Sequence, residues 1–69
     1  MDKFIERLKA LREEKGVSQA QLSKATGLSQ SAIAFWETGK RIPNAQAIII
    51  LARYFGVTTD YLLGETDYY

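Results

Sequence analysis

Four side chains near the middle of the chain, those of Gln30, Ser31, Ala34 and Phe35, have types and spacing that suit contact with nucleic-acid bases. On a helix, which turns by about 100° per residue, all four lie on one side. A glutamine amide can make two hydrogen bonds to adenine, a serine hydroxyl can reach several base edges, and alanine or phenylalanine can touch a thymine methyl group. This uncharged face is therefore a candidate for entry into a DNA groove.

The same face has a plainer interpretation, an ordinary solvated helix surface that lacks charge. Solvated faces usually carry charged residues, and an exposed phenylalanine is better explained when a ligand or partner covers it. The four residues by themselves leave both interpretations open.

Three further residues have positions that suit phosphate contacts beside that face. Gln19 lies at the start of a predicted helix, where free backbone N–H groups favour an anion. Lys40 and Arg41 follow Gly39, whose lack of a side chain lets the backbone approach a phosphate closely. The alternative role of the two cations is to satisfy the last carbonyl groups of the preceding helix.

Several chemistries are disfavoured by what the chain lacks. It has no histidine and no cysteine, which removes Ser–His and Cys–His pairs, thiolate nucleophiles and almost every zinc site. Glu13 and Glu14 are adjacent, so on a helix they diverge and cannot share a metal or a proton. Gly39 and Lys40 are like the end of a P-loop, but the motif's first glycine and final Ser/Thr are absent. We therefore expect no enzyme, no cofactor and no metal.

The chain of 69 residues has room for one domain, with 46% hydrophobic and 25% charged residues. Its longest apolar run, residues 47–52, is far shorter than the roughly 20 residues that a bilayer requires. The first residues mix charged and apolar types, so no signal peptide is expected. These features, with the absence of cysteine, favour the cytoplasm and argue against a membrane partner.

The net charge is only +1, but its distribution is uneven. Residues 1–41 have a positive excess, whereas residues 42–69 have a negative one. This asymmetry favours one face for an anionic partner.

Hydrophobic periodicity and capping residues predict the elements that position these side chains. Asp2 is predicted to cap the first helix, and Ser18 with Gln21 forms a capping box at the second. The fourth helix is apolar nearly all round, so we expect it to be central or shared with a partner chain. No segment alternates as a strand does, and the predicted fold is all-α. The five predicted helices are 3–15, 18–26, 29 to 37 or 38, 45–55 and 58–64.

Residues 18–37 closely resemble the helix-turn-helix of the Cro/CI repressor family, also called XRE-like, and read SQAQLSKATGLSQSAIAFWE. The similarity continues through LREEKGVSQ at 11–19, WETGKRIP at 36–43 and FGVTTDYLLG at 55–64. It covers residues 4–64, and the motifs together are specific to the family. The resemblance implies a five-helix, lambda-repressor-like DNA-binding domain over residues 1–64, with the helix-turn-helix in its second and third helices. Residues 65–69 are expected to form a flexible tail.

The resemblance also implies roles for individual residues. Gln19 matches a position that contacts phosphate and braces Gln30. Arg12 and Glu37 match an ion pair between the first helix and the end of the third. Polar base-reading residues of several relatives are replaced here by Ala34 and Phe35, which shifts specificity toward methyl contacts and DNA shape. The implied base contacts are Gln30, Ser31, Ala34 and Phe35, and the implied phosphate contacts are Gln19, Lys40 and Arg41.

The function that the resemblance implies is sequence-specific binding of double-stranded DNA by a transcriptional regulator, a repressor of phage or mobile-element type. It would act at the nucleoid as a homodimer on an inverted-repeat operator, with the third helix in the major groove. The alternative is an antitoxin or protein-interaction module that uses the same helices to bind a toxin or a protein antirepressor.

The C-terminal third contains a candidate dimer patch made by Tyr54, Tyr61 and Leu62, near Tyr68 and Tyr69. Clustered aromatic and aliphatic residues can form a small two-fold interface. The alternative is that Tyr54, Tyr61 and Leu62 only complete the core.

Overall fold

The computed structural model describes residues 1–69 and consists of five α-helices with no strand. The all-α prediction is confirmed, and all five helices begin and end within one residue of their predicted limits. None of them is both long enough and apolar enough to span a bilayer. The helices are α1 Asp2–Lys15, α2 Gln19–Thr26, α3 Gln30–Thr38, α4 Ala45–Phe55 and α5 Thr59–Leu63.

Side-chain caps define the start of every helix after the first. At α2 the hydroxyl of Ser18 accepts from the backbone N–H of Gln21 at 3.0 Å, and the Gln21 side chain accepts from Ser18 N–H at 2.8 Å. At the starts of α3, α4 and α5, the side chain of the capping residue likewise accepts from the backbone N–H three residues later; these residues are Ser29, Asn44 and Thr58. Each cap satisfies a backbone donor that lacks an intrahelical acceptor, which is why the predicted boundaries hold.

The predicted cap of α1 is wrong. Met1 occupies the N-cap position without a side-chain hydrogen bond, and Asp2 already lies in the first helical turn. An acidic side chain in the first turn is favoured by the helix dipole, so the same residue suits either position.

The core draws on all five helices. Helix α4 contributes Ala47, Ile48, Leu51 and Ala52, which agrees with its predicted central place, although Ile49 remains 42% exposed. Burying these side chains is the main source of stability in a small domain without disulfides or metals. The buried hydrophobic residues are Phe4, Leu8, Leu11, Leu22, Ile33, Trp36, Ala47, Ile48, Leu51, Ala52 and Leu62.

The segment after α5 lies against the body of the domain. The carbonyl of Tyr69 accepts from Thr58 N–H at 2.9 Å, and Arg7 donates to the carbonyl of Thr66 at 2.6 Å and to the carboxylate of Asp67 at 2.9 Å. The structure thus gives the expected tail definite contacts, and its flexibility in solution stays a prediction.

Candidate nucleic-acid interface

The turn between α2 and α3 is held by side-chain hydrogen bonds. The hydroxyl of Ser23 donates to the carbonyl of Leu28 at 2.5 Å, and Leu28 N–H donates to the hydroxyl of Thr26 at 3.2 Å. Leu22 of α2 and Ile33 of α3 are both completely buried. These contacts fix the orientation of α3 relative to α2.

Helix α3 has one buried side and one open side. Ile33, Trp36 and Glu37 are buried, whereas Gln30 and Ser31 are exposed. The side chains of Gln30 and Ser31 make no hydrogen bond within the protein, so their donors and acceptors are free for a ligand. This open side carries no charged residue, as the sequence predicts.

Two further predicted base-contacting residues, Ala34 and Phe35, are half-buried on the same helix. Neither packs against the hydrophobic core, although other half-buried apolar residues of the domain do. The open side of α3 is therefore polar at its first turn and apolar farther along.

A buried ion pair joins α1 to the end of α3. Arg12 Nε donates to Glu37 Oε2 at 2.8 Å and Arg12 Nη2 donates to Glu37 Oε1 at 3.0 Å, a two-pronged geometry. Arg12 Nη1 also donates to the carbonyl of Val17 at 3.0 Å, just before α2. The side chain of Glu37 is only 5% exposed. One guanidinium therefore ties together α1, the start of α2 and the end of α3.

The ion pair changes the titration of both partners. Burial by itself raises the pKa of Glu37, but hydrogen bonds from Arg12 and Gln19, together with the charge of Arg12, outweigh burial and leave this pKa below its ordinary value. The hydrogen bond to Glu37 raises the pKa of Arg12. Both groups are therefore charged at neutral pH.

Gln19 does not brace Gln30 in this structure. Its amide Nε2 instead donates to Glu37 Oε1 at 3.1 Å, because a buried carboxylate with unused acceptor capacity is a stronger acceptor than a solvated amide. The backbone N–H groups of Gln19 and Ala20 have no acceptor within the protein and remain available to an anion at the start of α2.

Lys40 and Arg41 lie in the loop directly after α3, and both are exposed. No carboxylate lies within 4.0 Å of either, whereas Lys3, Arg7 and Arg12 each have an acidic partner. The guanidinium carbon of Arg41 lies 5.1 Å from the centre of the Phe35 ring. Two cations without an acidic partner therefore follow the C-terminal end of α3, and one of them, Arg41, lies near Phe35 on its open side.

Comparison with known proteins identifies the family of the chain. The helix-turn-helix family model matches residues 8–62. The chain belongs to the helix-turn-helix family. The Cro/CI (XRE-like) resemblance predicted from the sequence is confirmed, and the family consists of DNA-binding transcriptional regulators.

The curated relatives of this helix-turn-helix protein include both an activator and a repressor. The transcriptional activator BcrR of Enterococcus faecalis is 39% identical over 64 residues, which are 93% of this chain and 31% of BcrR. Repressor protein C2 of Salmonella phage P22 is 36% identical over 58 residues, which are 84% of this chain and 27% of the repressor. A prophage-derived regulator of Bacillus subtilis, YonR, is 36% identical over 63 residues, 91% of this chain and 58% of YonR.

The chain thus spans between 27% and 58% of the length of these three relatives. BcrR is described as a transcriptional activator, YonR as a transcriptional regulator and C2 as a repressor, and none of the three is described as an enzyme. No solved structure matches the chain significantly.

The predicted dimer patch is not assembled as a surface in this helix-turn-helix domain. Leu62 is completely buried and completes the core, because α5 packs against both α1 and α4. Tyr61 is half-buried between the guanidinium of Arg7, 4.0 Å from its ring centre, and the ring of Tyr69 at 4.6 Å. Including Leu62 in a surface patch was therefore wrong.

Tyr54, the third residue of that predicted patch, faces different neighbours. Its ring packs edge-on against Phe55 at 5.0 Å, and the ammonium of Lys15 lies 5.0 Å from its centre. Tyr54 and Tyr61 therefore have separate environments, in agreement with their alternative role as supports of the core.

Sequence reasoning missed Arg7. Its guanidinium donates to the carbonyls of Tyr61 and Thr66 and to the carboxylate of Asp67, and its side chain is only 14% exposed. Arg7 lies three residues after the buried Phe4, which places it beside the apolar stripe of α1. Its position on the helix was the only sequence signal that Arg7 would be partly buried. Its hydrogen-bond acceptors could not be predicted, because they are more than fifty residues away in the chain.

Proposed function

We propose that this helix-turn-helix protein binds a specific double-stranded DNA sequence and represses transcription by occupying an operator. The observation that carries the proposal is the open side of α3, where Gln30 and Ser31 have unused hydrogen-bonding groups in the first turn and the unpaired cations Lys40 and Arg41 follow the other end of the helix. Base-reading groups flanked by phosphate-binding cations are what sequence-specific recognition requires. Such a regulator would act in the cytoplasm, at the nucleoid.

In the proposed complex, α3 lies in the major groove. The Gln30 side chain forms hydrogen bonds with the edge of an adenine, and the Ser31 hydroxyl forms one with a neighbouring base. Ala34 lies close to the base edges at the bottom of the groove. Phosphates are held by the free N–H groups at the start of α2 and by Lys40 and Arg41. The rigid turn between α2 and α3 supports this arrangement, because the base and phosphate contacts then keep a constant relation to each other.

We further propose that two copies bind an inverted repeat. For helix-turn-helix dimers the two half-sites are about 34 Å apart, one turn of DNA. A single copy offers few unpaired cations near α3, so two copies on one operator would supply the phosphate contacts that one lacks. Similarity to the phage P22 repressor supports repression, while similarity to BcrR makes activation the outcome to test against it.

The deciding experiment is selection of binding sites from random duplex DNA at two salt concentrations. We expect enrichment of an inverted repeat, and a promoter carrying it should lose reporter expression when the protein is present. Increased reporter expression would contradict the proposed repression but not the proposed sequence-specific binding of DNA. Weak, salt-sensitive binding without any enriched sequence would contradict the whole proposal and favour a protein-interaction module.

Gln30→Ala tests the base contact. We expect it to weaken binding to the selected site by about 1–3 kcal/mol and to relax the preference at one base position. An unchanged ratio of affinities for the selected and the mutated site would contradict the assignment.

Lys40→Ala tests the phosphate contact. We expect weaker binding to all duplexes alike and a salt dependence reduced by about 1 on a log–log scale. A loss confined to the selected site would instead make Lys40 a base-reading residue. Lys9→Ala, on the exposed surface of α1, is the matched control for removing one positive charge.

A further inference from the structure

We infer that Phe35 acts on DNA as a positioning residue for Arg41, and not as a base contact of its own; this inference rests on the proposed function. Phe35 holds the Arg41 guanidinium beside the open side of α3, so that this cation meets the DNA backbone at a constant distance from the base contact of Gln30.

The first observation is that the core does not account for the Phe35 ring. The ring is half-buried, yet it does not belong to the hydrophobic core or to the apolar side chains that pack against it. The ring lies instead near Arg41, whose guanidinium carbon is 5.1 Å from the ring centre. This distance is within the roughly 6 Å over which an arginine and an aromatic face attract each other.

The second observation is that the backbone brings the two residues together. The N–H groups of Lys40 and Arg41 both donate to the Phe35 carbonyl, at 2.9 Å and 3.4 Å, and the Thr38 hydroxyl lies 3.3 Å from the same oxygen. The loop can fold back in this way because Gly39 has a left-handed backbone with φ of 78°. The loop after α3 is thus tied to residue 35 by its main chain as well as by the Arg41 side chain.

The third observation concerns charge. Arg41 has no carboxylate within 4.0 Å, so its positive charge is not neutralised inside the protein. An aromatic face attracts a guanidinium without removing its charge or occupying its N–H donors. The stack therefore restricts Arg41 and leaves its donors free for a phosphate.

The two roles of Phe35 predict different results in a double-mutant cycle with Phe35→Leu and Arg41→Gln. The probes are the selected inverted repeat and a scrambled duplex of equal length. If Phe35 positions Arg41, we expect Phe35→Leu to weaken binding to both duplexes by about two- to five-fold and to lower the salt dependence. The same substitution should have little further effect once Arg41 is replaced, and Phe35→Tyr should retain wild-type binding.

Lys40 supplies the matched control. It is the neighbouring cation and has no aromatic partner, so Lys40→Gln should add fully to Phe35→Leu. Additive effects of Phe35→Leu and Arg41→Gln, or a loss limited to one base position of the selected site, would overturn the inference and make Phe35 a thymine-methyl contact.

A measurement on the free protein separates this inference from the proposed function. The Phe35 ring should shift the NMR resonances of the Arg41 side-chain methylene protons upfield, an effect lost in Phe35→Leu and kept in Phe35→Tyr. Absence of the shift would overturn the stack whatever the protein binds. If the upfield shift of the Arg41 protons is present but the protein binds no duplex, the proposed function is overturned. The role of Phe35 in DNA binding is then overturned as well.

Discussion

At the scale of the residue, the ion pair of Glu37 with Arg12 contributes more to the relative placement of the helices than to the net stability of the fold. Removing a buried pair altogether is often neutral, whereas removing one partner leaves an uncompensated charge. Here Glu37 accepts from Arg12 and from Gln19, so α1, α2 and the end of α3 converge on one carboxylate. The orientation of the open side of α3 depends on this convergence.

The lowered pKa of Glu37 predicts a pH dependence of folding. A carboxylate whose pKa is lower in the folded state contributes stability above its unfolded pKa of about 4.3 and loses it as the pH falls through the folded value. We expect Glu37→Gln to be less stable than the wild type by about 2 kcal/mol at pH 7. The difference should shrink progressively below about pH 4.3.

Urea unfolding at pH 7 and at pH 3 measures this difference directly. Glu14→Gln, on the exposed surface of α1, is the control, and we expect it to match the wild type at both pH values. A Glu37→Gln difference that is equal at the two pH values would contradict the role assigned to the ion pair.

At the scale of the element, helix ends were the most predictable feature and helix contacts the least. The capping side chains each accept from a backbone N–H only three positions away, so their roles follow from local sequence; they are Ser18, Ser29, Asn44 and Thr58. Asp2 was misassigned because an acidic residue is suitable both as a cap and in the first turn.

Gly64 and Gly56 offer a matched test of helix contacts. Both have left-handed backbones, with φ of 86° and 69°. A side-chain carbon at Gly64 would lie 2.5 Å from Cβ of Lys3, whereas one at Gly56 would meet nothing within 4 Å. We expect Gly56→Ala to cost about 1 kcal/mol from backbone strain alone. Gly64→Ala should cost about 2–3 kcal/mol, because α5 must also move away from α1.

The free energies of unfolding of the two variants, measured in urea, show whether Gly64→Ala costs more than Gly56→Ala. Equal losses would indicate that α1 and α5 separate easily, and that their packing contributes little to holding the C-terminal part of the domain.

At the scale of the whole molecule, Arg7 links the first helix to the last residues of the chain. We expect Arg7→Lys to release residues 65–69, because an ammonium group cannot replace a planar guanidinium that bonds several oxygens and stacks on Tyr61. The measurement is hydrogen exchange at the Thr58 amide, whose acceptor is the carbonyl of Tyr69. Exchange should be faster in the variant than in the wild type.

Lys3→Ala is the control for that experiment. Lys3 approaches the same carboxylate of Asp67 only at 3.9 Å and is 58% exposed, so its removal should leave the Thr58 amide unchanged. If the Thr58 amide exchanges as fast as an unprotected peptide already in the wild type, the sequence-based prediction of a flexible tail is correct and Arg7 does not hold it.

The sequence by itself determined the helices, the caps of the last four and which side of α3 is open, because these depend on residues at most four positions apart. It also carried the family motif, since residues 18–37 contain the whole helix-turn-helix. Only the tertiary structure decided that Gln19 turns to Glu37, that Leu62 is buried and that Arg7 reaches the tail. Those outcomes depend on groups that are distant in the chain and become neighbours only when packing of the core sets the helices against one another.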